Sequence, residues 1–171
     1  MCSHYIGVEN ITMYFGFYLH KLFYTFVTEL IIENMRFLKN DSTDPYFNMA
    51  FDEYCLESLP IDEPVFYLWQ NRPSVIMGLN QEVNTEVNLE FLKENDIALV
   101  RRVTGGGAVY HDLGNLNFTF VTHKEEYDVA RQLDVILTAL HALGIHAEKS
   151  GRNDLHADGR KFSGNAFYDN G

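Results

Sequence analysis

Apolar and polar positions fall into a readable pattern from Met35 onward. Met35 to Leu38 reads as a short strand, and Asp44 followed by Pro45 supplies an N-cap and first-turn pair for a helix reaching about Ser58. Helical spacing there predicts an inward face of Phe47, Ala50, Phe51 and Tyr54. Val65 to Trp69 and Ser74 to Met77 read as strands, and the turn signal Asn71-Arg72-Pro73 between them predicts a hairpin. Leu89 to Glu94 is a short helix, and Ile97 to Arg101 an apolar strand leading into Thr104-Gly105-Gly106-Gly107, from which Gly107 to Tyr110 leaves as another strand. Leu116, Phe118 and Phe120 alternate with Asn115, Asn117 and Thr119, the two-residue period of a half-buried strand. Val129, Leu133, Ile136, Leu137, Leu140 and Leu143 then recur at helical spacing up to Gly144, a C-terminal cap. Asp158-Gly159 is a two-residue hairpin turn between Leu155 to Ala157 and Lys161 to Phe162. Many strands with few helices predict an α+β fold with a mixed, mostly antiparallel sheet.

Residues 1–34 do not fit this pattern. Met13 to Ile32 is crowded with Phe, Tyr and Leu without helical or alternating order. His20, Lys21 and Glu29 interrupt the run, leaving less than the roughly 18 apolar residues that a spanning helix needs, and no basic flank of a signal peptide precedes it. These residues read as an extension outside the domain, dispensable for ligand binding, with Met35 a candidate start.

Composition narrows the function classes. Hydrophobic residues at 46% and charged residues at 22% describe an ordinary globular chain of one domain or part of one. A formal net charge of -11 argues against bulk attraction to nucleic acid or to an anionic membrane surface. Cys2 and Cys55 are the two cysteines, far apart, so neither a disulfide framework nor a cysteine-rich zinc site is available, and a cytoplasmic location fits. The histidines show no metal-binding spacing, so no metal-ligand set is expected, and the sequons at Asn10, Asn40 and Asn117 are chance matches in a cytoplasmic protein.

Two stretches carry chemistry. In Arg101-Arg102-Val103-Thr104-Gly105-Gly106-Gly107-Ala108-Val109-Tyr110-His111-Asp112 the glycines let backbone approach a ligand, and successive N–H groups can form an anion nest beside the arginines. A tight strand-to-strand turn with solvated arginines is the plainer alternative. Tyr110 stands where a dinucleotide fingerprint has its third glycine, and no Gly-Lys-Ser/Thr follows, so the two commonest nucleotide loops are excluded. The second stretch is Gly151-Arg152-Asn153-Asp154, then Arg160-Lys161 and Ser163-Gly164-Asn165-Ala166. Lys161 among small neighbours could meet a ligand, or be a surface lysine; Asn153 and Asp154 could orient it, bind magnesium with phosphate oxygens, or cap the hairpin.

Together the two stretches resemble the lipoate-protein ligase A family, as do Asp44-Pro45-Tyr46-Phe47-Asn48-Met49-Ala50 and Leu68-Trp69-Gln70; the likeness runs from Met35 to Gly171. Gln81-Glu82 departs from the Gln-Asn often found there. The resemblance implies a biotin/lipoate ligase-like fold, and activation of lipoate or octanoate by ATP and magnesium to an acyl adenylate, lipoyl-AMP for lipoate. Transfer to a lysine of an apo acceptor protein carrying a lipoyl domain would follow. By motif position, Arg102, Gly107, Ala108, Val109 and Tyr110 would bind ATP, with Gly105, Gly106, Asn153 and Asp154 in support. Lys161 would be catalytic, touching both ATP and lipoate, and the acyl tail would lie near Val75 to Met77. Family members continue past Gly171 with further strands and often an accessory domain or subunit, so 35–171 is expected to be a partial catalytic domain. An octanoyl or lipoyl transferase of the same fold would need a nucleophilic cysteine, for which core-facing Cys55 is a poor candidate; a non-catalytic ligand-binding remnant is the other alternative.

Overall fold

The computed structural model describes residues 4–11 by their backbone, and residues 25, 35–60, 62–151 and 154–169. Along the chain come β1 (His4–Ile11), β2 (Arg36–Lys39), α1 (Pro45–Glu57), β3 (Val65–Trp69), β4 (Ser74–Met77), α2 (Val83–Glu86), α3 (Leu89–Glu94), β5 (Ala98–Arg101) and β6 (Val109–His111). They are followed by β7 (Leu116–His123), a 3-10 turn (Lys124–Glu126), α4 (Val129–Ala142), β8 (Ala147–Ser150), β9 (Asp154–Ala157) and β10 (Arg160–Asp169). One sheet has the order β2-β3-β7-β1-β10-β9-β8, antiparallel except for β2 beside β3, and a second has the order β5-β4-β6. The expected α+β class with a mixed, mostly antiparallel sheet is what forms.

Local signals act where the sequence places them. Asp44 caps α1 by accepting from Tyr46 N, with Pro45 in its first turn. Asp128 likewise accepts from Arg131 N at the start of α4, and Gly144 at φ +79° ends that helix while Ile145 N–H donates to Leu140 O. Asp158 and Gly159, at φ +50° and +71°, turn β9 into β10 as a two-residue hairpin.

Three expectations are corrected. β3 and β4 do not form a hairpin: β3 pairs with β2 and β7, while β4 pairs with β5 and β6 in the other sheet. Of the expected inward face of α1, Phe51 packs on the core, its ring against Tyr67, but Ala50 is exposed and Phe47 and Tyr54 are half exposed, and the buried positions are Asn48, Met49, Asp52, Cys55 and Leu56. Asn48 and Asp52 find hydrogen-bond partners inside, which removes the cost that would keep them out. β7 is buried on both faces rather than one, from Leu116 through Thr122. Of residues 1–34, read above as an extension, β1 pairs by its backbone with both β7 and β10 in the large sheet, and apart from residue 25 the remainder lies outside the described residues.

β7 is covered twice because the large sheet has an apolar layer on each side. Leu116, Phe118 and Phe120 join Phe66, Leu68 and Leu155 under the α4 residues Leu133, Ile136, Leu137 and Leu140. On the other face, Val65, Tyr67, Trp69 and Val121 pack with Met49, Cys55 and Leu56 of α1 and Ile76 of the small sheet, against which Val100, Val103, Val109 and Tyr168 also lie. That second layer is where the two sheets meet, and the candidate site is built around it.

Candidate functional site

The glycine loop connects β5 to β6 and is shaped by its own arginines. Arg102 is buried, and its guanidinium donates from Nε and Nη2 to Gly105 O (3.1 and 2.7 Å), from Nη2 to Gly107 O (2.9 Å) and from Nη1 to Ile76 O (3.0 Å). A guanidinium carries five N–H groups, so these four bonds direct Arg102 mainly at the loop carbonyls. Burial lowers its pKa. Arg101 Nη1 reaches the carbonyls of Gly78, Leu79 and Gln81, tying down the segment after β4. Two glycines are dictated by geometry: at Gly106 (φ +95°) a Cβ would lie 2.7 Å from Arg102 Nη2, and at Gly78 it would lie 1.9 Å from Gly106 O. Added Cβ atoms at Gly105 and Gly107 would meet nothing within 4 Å, so that flank of the loop is open. Beyond it, Val109 and Tyr110 run out along β6, with Tyr110 half exposed. The turn from β6 into β7 is held by Asp112 N donating to Asn115 Oδ1 and Gly114 N donating to Asp112 Oδ1.

Lys161 stands on β10 in the opposite sheet, its Nζ paired with Asp154 Oδ1 of β9 at 2.8 Å. A Cβ at Gly164 would lie 3.4 Å from both Cε and Nζ of Lys161, so the ammonium overhangs that glycine. Gly164, Ala166 and Tyr168 alternate onto one face of β10, and Tyr168 packs in the layer between the sheets. The loop and the lysine thus belong to two sheets that share one core. Asn153 lies outside the described residues.

A polar chain missed by sequence reasoning runs beside this core. Asn48 Nδ2 donates to Gln70 O and to Asn71 Oδ1, both at 2.8 Å, and Asn71 Nδ2 lies 3.2 Å from His111 Nδ1. With the Asn71 oxygen engaged by Asn48, its amide nitrogen faces His111, which makes Nδ1 the acceptor and Nε2 the protonated nitrogen. Burial, and then the nearby Arg102 charge, push His111 down to about 4, so it is neutral at physiological pH. Its ring lies against Trp69, whose Nε1 donates to Thr119 Oγ1 (3.0 Å). Thr119 in turn reaches Asp52 Oδ1 (3.4 Å), which also accepts from Tyr67 Oη. Burial raises Asp52 to about 7, against the lowering effect of the bonds from Tyr67 and Thr119. The available signal was Asn48 and Asp52 one helical turn apart on a face otherwise apolar.

Asp52 and His111 act oppositely on stability. Asp52 binds its proton more tightly folded than unfolded, so its contribution falls as pH rises from 3.8 to about 7. His111 binds its proton less tightly folded, so stability rises with pH from about 4 to 6.5. Urea melts between those limits are expected to show a shallow slope in the intact chain. Asp52→Asn should leave a stability that rises with pH and His111→Gln one that falls; unchanged slopes in both variants would contradict this assignment.

Cys55 is fully buried, and burial followed by the Asp52 charge pushes its thiol up to about 12, so it is not a ready nucleophile. Among the described residues no group of three His, Cys, Asp or Glu side chains could hold a metal ion, and no helix is long and apolar enough to cross a membrane.

Residues 44–171 match the lipoyl protein ligase A/B catalytic domain model. Lipoate-protein ligase LplJ of Bacillus subtilis (strain 168) is 46% identical over 138 residues, covering 78% of this chain and 42% of the relative, so the chain spans less than half of that protein's length. Among solved structures, lipoate-protein ligase A bound with ATP aligns with a TM-score of 0.67 and 29% identity over 78% of this chain and 65% of that one. P. falciparum LipL1 in complex with lipoate aligns with a TM-score of 0.66 and 29% identity over 78% of this chain and 46% of that one. With the glycine loop, the Lys161 hairpin and three quarters of its residues inside the match, the chain belongs to the lipoyl protein ligase A/B catalytic domain family.

Proposed function

We propose that this chain carries the nucleotide and acyl-acid site of a lipoate-protein ligase. What supports this reading is an open glycine loop, braced by Arg102, on one sheet and the Lys161 ammonium beside Gly164 on the other, the two sheets sharing one core. Relatives named as lipoate-protein ligases, and neighbours holding ATP or lipoate, support the same reading.

In the first half-reaction a carboxylate oxygen of lipoate attacks the α-phosphorus of ATP, the bond to the bridging oxygen breaks, and pyrophosphate leaves with lipoyl-AMP behind. Negative charge grows on the phosphoryl oxygens, where Lys161 and the backbone N–H groups of Gly107, Ala108, Val109 and Tyr110 stabilise it. Arg102 acts through the loop by fixing its carbonyls, while Gly105 and Gly106 give the backbone its approach. Asp154 holds the Lys161 ammonium in place. In the second half-reaction an acceptor lysine amine attacks the acyl carbon and AMP leaves. Neither half needs a protein nucleophile, which agrees with the buried, high-pKa Cys55 and disfavours the transferase reading. Magnesium bound with the triphosphate would take most of its ligands from phosphate oxygens and water, and among the described residues no group of three His, Cys, Asp or Glu side chains forms a cage for it. The acceptor is a protein carrying a lipoyl domain, and the setting is cytoplasmic.

The test is pyrophosphate release with lipoate, ATP and magnesium. Release that depends on lipoate, with lipoyl-AMP recovered, is expected; acyl transfer without ATP would replace this reading with the transferase. Gly78→Ala is expected to weaken ATP binding about tenfold or more, because its Cβ would overlap the backbone oxygen of Gly106 and displace the loop. Titration with ATP checks this, and wild-type affinity would show that the loop position does not matter to the nucleotide.

A further inference from the structure

We propose that Asn117 is a further substrate-recognition residue, donating its side-chain amide to the carboxyl group of the acyl acid opposite Lys161. This rests on the adenylation reading above and adds to it a contact that neither the glycine loop nor the lysine motif contains.

Asn117 is wholly buried on β7, yet its Oδ1 and Nδ2 both lack a hydrogen-bond partner. A buried amide with neither atom paired is costly and calls for an explanation. Its neighbour Thr119, two residues on and facing the same side, is bonded to Trp69 and Asp52, so the deficit is particular to Asn117. Register places it in a cross-strand row: Trp69 on β3 is opposite Asn117, Asn117 is opposite Asn10 on β1, and Asn10 is opposite Gly164 on β10. Directly opposed residues direct their Cβ atoms to the same face. Asn117 therefore projects from the face over which the Lys161 ammonium hangs at Gly164.

Two strand spacings separate Asn117 from Gly164, about 10 Å. A carboxyl group bonded to an ammonium on one oxygen and to an amide N–H on the other spans about 8 Å between the two nitrogens. A side chain leaning along the face closes the remainder. The acid then lies with its head between Lys161 and Asn117 and its apolar tail toward Trp69, one strand further along the row. Because Asn117 is closed to solvent, entry of the acid must open this point, and its carboxylate then supplies the missing acceptor for Nδ2. The contact is to the carboxyl head, so it serves lipoate and octanoate alike.

The test uses the full chain and its Asn117→Leu and Asn117→Asp variants, with Gln132→Leu as a control that also removes a buried unpartnered side-chain atom, on α4. Titrations with lipoic acid, octanoic acid and ATP are combined with thermal melts. Asn117→Leu is expected to weaken both acids about tenfold or more by equal factors, leave ATP affinity unchanged and keep or raise the Tm. Asn117→Asp should be worse for both acids, since its charge faces the carboxylate. Gln132→Leu should bind all three ligands as the wild type does. Acid binding in Asn117→Leu within twofold of wild type, an effect on lipoic acid alone, or loss of ATP binding together with a fall in Tm would overturn the proposal. An intact chain that binds neither acid nor ATP would instead overturn the adenylation reading, and this inference with it.

Discussion

Lys161→Ala is expected to lower lipoyl-adenylate formation by about a hundredfold or more, the usual loss when one preorganised donor to a developing oxyanion is removed. Lys161 is suited to that role by its surroundings. Its ammonium is held by Asp154 at 2.8 Å, and Gly164 leaves the space beside it free of a Cβ. Half exposed, it can exchange solvent for a phosphoryl oxygen at smaller cost than a buried cation could. Cys55→Ser should by contrast leave adenylate formation close to wild type, because the thiol lies in the core with its proton held. Quenched-flow measurement of lipoyl-AMP for both variants separates the mechanisms. Full activity in Lys161→Ala would show that the lysine is not the stabilising donor, and abolition in a folded Cys55→Ser would point to covalent catalysis.

Removal of residues 1–34 is expected to abolish cooperative folding, the reverse of what their irregular pattern suggests. β1 is antiparallel to β7 on one side and β10 on the other, and β7 and β10 are not paired with each other. Without β1 the large sheet falls into β2-β3-β7 and β10-β9-β8, and the facing backbone edges of β7 and β10 lose their partners. Each buried group so orphaned costs about 1 to 3 kcal/mol, against about 5 to 15 kcal/mol for the stability of a whole domain. Lys161, on β10, would also lose its sheet connection to β7 and β3. Circular dichroism melts and amide exchange of the shortened chain check this. A cooperative melt at the wild-type Tm, with β7 and β10 amides still protected, would show that the strand is dispensable.

What the sequence determined by itself was local. Asp44-Pro45, Asp128, Gly144 and Asp158-Gly159 act through backbone geometry within a few residues, so each could be read without knowing the fold. The glycine loop and the Lys161 motif are short contiguous runs and were legible for the same reason. Tertiary structure decided the rest, because the relevant partners are far apart in the chain. Asn48 meets Asn71 across 23 positions, Trp69 meets Thr119 across 50, and Asp52 meets Thr119 across 67. Only those contacts make it favourable for α1 to turn Asn48 and Asp52 inward and leave Phe47 and Tyr54 half exposed, against the hydrophobic pattern. The alternation along β7 specified two unlike faces correctly, but whether the polar one met water or a second layer was set by tertiary packing, in which Asp52 of α1 reaches Thr119 and Met49, Cys55, Leu56 and Ile76 join Val121 in one core. Asn117 is polar in either case; its burial without a hydrogen-bond partner arises only in the tertiary structure, because the groups that close it off come from elsewhere in the chain.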